Sequence, residues 1–227
     1  SEINRAAYTE IEDWPQDLKN MESKYQLSIR TPVGHDIWRT GDSINMAFTI
    51  TAWWQTYTKN LSRPFRETNY RPEVFYTTPV KTPLWGFAPE ISIGLEHHSN
   101  GRDTPLSRGW NRVFTELRLT KPDKSLYLRP WYRLRDSNGN QSQQNINSDI
   151  DNYFGYFETG GNIQYHGKYQ LSYMLRGNPK TERGATEWGF SFPLRGRLRG
   201  YSSIFHGYGE SLIDYNHSQT RIGLGFS

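Results

Sequence analysis

The stretch Ser43-Ile44-Asn45-Met46-Ala47-Phe48-Thr49-Ile50-Thr51-Ala52-Trp53-Trp54-Gln55-Thr56-Tyr57-Thr58 alternates with a period of two. Successive side chains of a strand point to opposite faces. Ile44, Met46, Phe48, Ile50, Ala52 and Trp54 therefore share one face, and Asn45, Ala47, Thr49, Thr51, Trp53 and Gln55 share the other. The first face carries no charge along its whole length, as expected of a strand whose outer side meets lipid. In a soluble barrel the same face would meet a core, so the rest of the chain must decide.

Moving outward, the alternation recurs. Val113, Thr115, Leu117 and Leu119 alternate with Arg112, Phe114, Glu116 and Arg118, and Leu126, Leu128, Pro130, Tyr132 and Leu134 alternate with Tyr127, Arg129, Trp131, Arg133 and Arg135. The second faces are long and charged, which suits a polar lumen where arginine and glutamate pair. Pro130 removes a ladder donor and predicts a local irregularity. Eleven strands are legible, at about 24–32, 43–58, 69–80, 84–98, 110–120, 124–135, 152–160, 164–177, 185–193, 197–207 and 218–227. Gly160-Gly161 and Arg195-Gly196 read as tight turns, and 136–151 as a long polar loop. The expected fold class is all-β, an antiparallel transmembrane β-barrel. Residues 1–22 form a polar N-terminal segment, and 23–227 a single barrel domain.

Composition agrees. The 227 residues include 8 Trp, 15 Tyr and 11 Phe, yet mean hydropathy is −0.84. Aromatics favour strands and the girdles at membrane interfaces. No run of 18 apolar residues exists, so no transmembrane helix is expected. The absence of cysteine removes disulfides, thiol catalysis and cysteine metal sites. With 27 basic and 23 acidic residues spread along the chain there is no basic block, and nucleic acid is not an expected partner. The chain opens at Ser1 with no leader-like segment, so any leader is expected to have been removed.

Chemistry concentrates in His97-His98-Ser99-Asn100-Gly101-Arg102 and Ser107-Arg108-Gly109-Trp110-Asn111-Arg112. His97 and Ser99 fall on one strand face, roughly 7 Å apart. A hairpin symmetric about Thr104 sets position 97 opposite position 111, with Cβ atoms about 5 Å apart. Asn111 then holds one imidazole nitrogen while the other faces Ser99, the arrangement of nucleophile, base and orienter. His35, His166, His206 and His217 are isolated and read as lumen or loop residues. Glu210 and Asp214 read as parts of a structured outer loop, and Trp53-Trp54 as girdle and lumen packing.

These two blocks, with Pro64-Phe65-Arg66-Glu67-Thr68-Asn69-Tyr70 and Gly207-Tyr208-Gly209-Glu210-Ser211-Leu212-Ile213-Asp214-Tyr215-Asn216, resemble the outer membrane phospholipase A family. The likeness runs from roughly Lys24 to Phe226. It implies a twelve-stranded barrel of the bacterial outer membrane that hydrolyses phospholipid acyl esters, requires Ca2+ and is active as a homodimer. It further implies Ser99 as nucleophile, His97 as general base, Asn111 as orienter and the Gly101 N–H at the oxyanion. The Arg102 carbonyl, the Ser107 hydroxyl and Ser62 from the partner subunit are the implied calcium ligands. His98 stands where relatives often carry an acidic residue. The family's first strand is not recognisable, so the chain is expected to be shortened in front. The rival reading is a non-catalytic outer-membrane barrel, a pore or an adhesin. A soluble glycan-binding β-sandwich is a second rival.

Overall fold

The computed structural model describes residues 3–8, 18–57, 65–134 and 147–226. Eleven strands follow one another: β1 Ser23–His35, β2 Ser43–Trp54, β3 Phe65–Pro79, β4 Ala88–Ser99, β5 Gly109–Lys121, β6 Lys124–Leu134, β7 Phe157–Tyr165, β8 Tyr169–Asn178, β9 Arg183–Arg195, β10 Leu198–Tyr208 and β11 Ser218–Phe226. A single-turn helix, α1, spans Asp151–Phe154 before β7. Each strand pairs antiparallel with the next in one sheet ordered β1 to β11. A continuous meander of this kind replaces the two-sheet sandwich among the readings considered.

The sheet has two unlike faces. Along β4, Ile91, Ile93 and Leu95 are exposed on one side, while Ser92 and Glu96 are buried on the other. Met46 and Phe48 of β2 and Ile222, Leu224 and Phe226 of β11 are likewise exposed. An apolar surface of this extent is far beyond what a soluble monomer tolerates and matches the lipid-facing band of a membrane barrel. The polar face curls inward. Lys24 of β1, Thr49 of β2, Arg71 of β3, His98 of β4, Glu158 of β7, Glu187 of β9 and Phe205 of β10 line one cavity. Strands at opposite ends of the sequence can do this only if the sheet is rolled.

Charges inside that roll are paired, because an isolated buried charge is costly. Arg129 reaches Glu73 (3.0 Å), Glu96 (3.3 Å) and Glu116 (2.7 Å). Arg112 pairs with Glu96 and lies between the rings of Trp110 (4.0 Å) and Trp131 (4.5 Å). The irregularity expected at Pro130 is present: pairing of β5 with β6 lapses between Phe114↔Trp131 and Leu117↔Leu128.

One end of the barrel carries short turns and the other longer loops. In the turn after β1, Asp42 accepts hydrogen bonds from the backbone N–H groups of Ile37 (2.6 Å), Trp38 (3.0 Å) and Arg39 (2.8 Å) and from the Tyr76 hydroxyl (2.8 Å). Its enclosure acts to raise the carboxyl pKa, but the Tyr76 and backbone donors outweigh that and hold it below the ordinary value. At the loop end, Ile3, Tyr8, Leu18, Leu106 and Ile213 form a small apolar cluster. Part of the polar N-terminal segment is thus packed against the loops.

Three expectations require correction. Residues 152–160 are not one strand, since α1 occupies Asp151–Phe154 and β7 begins at Phe157. The expected strand at 164–177 merged two elements, because β7 continues to Tyr165 and β8 begins at Tyr169 around a turn at His166 and Gly167. Gly160-Gly161 is not a turn but lies within β7. A Cβ on Gly160 would sit 2.5 Å from the Tyr173 carbonyl and 2.8 Å from the Tyr127 ring. Close approach of its neighbours, not chain reversal, demands glycine there. Of the long polar loop expected at 136–151, residues 136–146 lie outside the described residues. The expected turn at Arg195-Gly196 does join β9 to β10, with Gly196 at φ 61°.

Candidate active site

The apolar outer stripe of β4 ends in two polar residues. After Ile91, Ile93 and Leu95 come His97, exposed, and Ser99, half-buried, on the same face. Register with β5 sets His97 opposite Asn111 and Ser99 opposite Gly109. The His97 Nδ1 lies 2.7 Å from Asn111 Oδ1. An amide oxygen only accepts, so Nδ1 carries the proton and Nε2 keeps its lone pair. This is the tautomer a general base needs. His98 points the other way, into the barrel, where its ring meets Phe154 edge-on at 6.5 Å.

The loop 100–108 continues from Ser99. Gly101 has φ 61°, a conformation that costs an L side chain about 1 kcal/mol or more. Among the described residues no acceptor takes its N–H. The loop is tied by Asn100, a buried residue to which the sequence motifs assigned no role. Its Nδ2 donates to the Leu106 carbonyl (2.8 Å), and its Oδ1 accepts from the N–H groups of Arg108 (2.8 Å) and Arg102 (3.4 Å). The Arg102 guanidinium turns inward, pairing with Glu67 at 3.3 Å and donating to the carbonyls of Arg66 and Phe65. Its carbonyl and the half-buried Ser107 belong to the same short loop. Ser62 lies outside the described residues.

Glu210 and Asp214 have structural partners. Asp214 accepts from Arg66 Nη1 (2.8 Å) and the Ser211 hydroxyl (2.6 Å). Glu210 pairs with Arg221 (2.7 Å) and accepts from Gln219 (2.8 Å). Burial raises the Glu210 carboxyl pKa, against the opposing pull of Arg221 and Lys24. The Trp pair divides as expected: the Trp53 indole N–H approaches Glu210 at 3.4 Å inside, and Trp54 stacks on Phe65 at 5.8 Å.

A hard cation such as calcium takes oxygen ligands, including carbonyls and hydroxyls. Among the described residues no three His, Cys, Asp or Glu side chains converge on a metal position. The implied ligands do not depend on such a cluster. The Arg102 carbonyl and Ser107 hydroxyl are neutral oxygens in one braced loop, with Asp103 exposed beside them. Their chemistry fits calcium.

The whole chain, residues 1–227, matches the family model described as Phospholipase A1. The chain belongs to the phospholipase A1 family. A relative in Neisseria meningitidis is 38% identical over 210 residues, covering 91% of this chain and 54% of that protein. The phospholipase A1 of Escherichia coli K12 is 36% identical over 228 residues, covering 99% of this chain and 75% of the relative. The chain thus spans about half the length of one relative and three quarters of the other.

The outer membrane phospholipase A structure from Escherichia coli superimposes with a TM-score of 0.90 at 34% identity, covering 100% of this chain and 91% of that one. A Salmonella typhi outer membrane phospholipase dimer with bound calcium gives a TM-score of 0.90 at 33% identity, with 100% and 85% covered. The phospholipase A1 family member described here is therefore an outer-membrane β-barrel of an ester-hydrolase family, as its motifs implied.

Proposed function

We propose that this chain hydrolyses acyl ester bonds of phospholipids, with Ser99 as nucleophile, His97 as general base and Asn111 as its orienter. The observation that carries the reading is the 2.7 Å contact between His97 and Asn111 on the outer wall, one turn of the pleat from Ser99. A site on that wall meets its substrate within the bilayer. The lipid need not enter the lumen.

The chemistry follows from the tautomer. His97 Nε2 takes the Ser99 hydroxyl proton as Oγ attacks the ester carbonyl. The tetrahedral oxyanion forms near the Gly101 N–H, where a fixed donor stabilises developing charge better than reorganising water does. The imidazolium returns its proton to the departing alcohol, leaving an acyl-serine. Water, deprotonated by the same nitrogen, releases the fatty acid. Asn111 stabilises the imidazolium less than a carboxylate would, since it contributes a dipole and no charge.

The Arg102 carbonyl and Ser107 hydroxyl would hold calcium beside the oxyanion position. When bound, the ion supplies positive field there. The donor chemistry of the loop supports this, as does the bound calcium of the Salmonella typhi relative. That relative is also a dimer. In our reading a second copy of this chain completes the calcium shell through its Ser62, so a lone barrel lacks part of the site and intact membranes are spared.

Fatty-acid release from phospholipid in detergent micelles tests the reading. Turnover is expected with calcium, and none after chelation or in Ser99→Ala. Full activity of Ser99→Ala would remove the nucleophile assignment, and full activity in chelator would remove the metal.

A further inference from the structure

We infer that Glu67 and Asn69 are positioning residues that brace the loop 100–108 against the loop 209–217. The inference rests on the calcium-site reading above and deepens it. No contact of either side chain with the reacting atoms is needed.

The bracing can be followed atom by atom. The backbone N–H of Leu212 donates to Asn69 Oδ1 at 2.9 Å. The same amide's Nδ2 donates to Glu67 Oε1 at 2.8 Å. Glu67 Oε2 then pairs with Arg102 Nε at 3.3 Å. Arg102 belongs to the loop that offers the Gly101 N–H and the Arg102 carbonyl. One neutral amide therefore links a loop more than a hundred residues later to the candidate calcium ligand.

A second line runs beside it. Arg66 pairs with Asp214 (2.8 Å) and Glu22 (2.7 Å), while its own carbonyl accepts from Arg102 Nη2. Arg66 and Glu67 are both almost wholly buried. Apolar contacts reinforce both lines, since Ile213 and Leu106 share a cluster.

This arrangement solves a specific problem. An exposed loop must keep a carbonyl and an N–H aimed outward, and loop backbones are otherwise the least rigid parts of a fold. A fork-shaped guanidinium drawn inward by a buried carboxylate and a carbonyl fixes the peptide that carries it. The Arg102 side chain thus anchors the peptide whose carbonyl is the candidate calcium ligand. Glu67 costs desolvation in this position. Its gain is order in the loop, present before calcium arrives.

Amide hydrogen exchange of residues 100–108, measured in detergent micelles without calcium, tests this directly. Glu67→Gln keeps an acceptor for Asn69 but removes the charge facing Arg102. Exchange in the loop is expected to speed about tenfold, and the calcium concentration for half-saturation by calorimetry to rise about tenfold. Glu116→Gln, which breaks an equally buried ion pair with Arg129 elsewhere in the lumen, is expected to change neither. If Glu67→Gln fails to fold, Arg102→Lys serves: it keeps the charge and the carbonyl, but one ammonium cannot span Glu67 and the Arg66 carbonyl together. Loop exchange unchanged in the folded variant, or accelerated equally by Glu116→Gln, overturns the inference. Because the exchange is read without calcium or substrate, its outcome stands apart from that of Ser99→Ala. Loss of the ester-hydrolysis reading would leave the bracing to be judged alone.

Discussion

Two hairpins of this barrel present a histidine on the outer wall near the loop end, each bonded across to the next strand. In β4–β5 it is His97, with Nδ1 2.7 Å from Asn111 Oδ1; in β10–β11 it is His206, which lies in a strand on the outer face and not in the lumen or a loop as expected, with Nδ1 2.8 Å from Thr220 Oγ1. Both rings are exposed. The partners differ in kind. The Asn111 oxygen only accepts, so it fixes the tautomer, whereas the Thr220 hydroxyl donates or accepts and fixes nothing. The residue two positions toward the loop is Ser99 in the first case and Tyr208 in the second. Beyond it, the Gly101 N–H has no acceptor among the described residues, while the Gly209 N–H is spent on the Asp214 carbonyl at 3.2 Å. An imidazole held across a hairpin is therefore not yet a site. The proposed chemistry needs a hydroxyl, a fixed tautomer and an available N–H together, and of these two hairpins β4–β5 alone offers all three.

Substitutions can break that contrast. The largest effect is expected for Ser99→Ala and His97→Ala, each lowering kcat for phospholipid hydrolysis by about 10³-fold or more. His206→Ala should change kcat by less than about twofold, since it supplies none of the reacting groups. Introducing Tyr208→Ser into the Ser99→Ala protein sharpens the comparison. It creates a serine two residues from His206, and no turnover should return, because neither tautomer nor oxyanion donor is provided. Recovered fatty-acid release would show that register alone makes a site.

Smaller effects grade the parts. Asn111→Ala is expected to lower kcat by about 10²-fold with little change in KM, because the base is left disoriented and the substrate contacts remain. Gly101→Ala puts a side chain at φ 61°, with a Cβ 3.3 Å from the Tyr70 ring. A penalty of about 1 kcal/mol, relieved by turning the N–H away, corresponds to roughly fivefold in kcat. The smallest change belongs to the opposite end of the barrel. Asp42 has a depressed carboxyl pKa, so its contribution to stability is present above the unfolded-state value of about 4 and is lost as pH falls through the folded value. Asp42→Asn should lower the thermal midpoint slightly at neutral pH, lose that difference in strong acid, and leave hydrolysis untouched.

The alternation of Ser43–Thr58 was enough to place Phe48 and Met46 outside and Trp53 inside, because period two is a local property of extended chain. The His97–Asn111 pairing was legible for a similar reason: a short hairpin leaves few registers, and a slip by one would turn Leu95 inward. Elsewhere local signals misled. Gly160-Gly161 carries the same letters as a turn, yet what selects glycine there is the close approach of neighbouring strands: the Tyr173 carbonyl and Tyr127 ring at Gly160, and the Ser125 carbonyl at Gly161. The α1 turn was hidden for want of an alternation signal in a polar stretch.

By itself, then, the sequence determined which faces are apolar, that the sheet is a meander, and which histidine stands beside a serine and opposite an asparagine. These depend on neighbours in the chain or across one hairpin. Only the rolled sheet decided which charges meet. Asp214 reaching Arg66, and Leu212 reaching Glu67 through Asn69, join positions more than a hundred residues apart. No spacing rule encodes such contacts. They arise because closing a polar face on itself forces every buried charge to find a partner from whichever strand comes round to it.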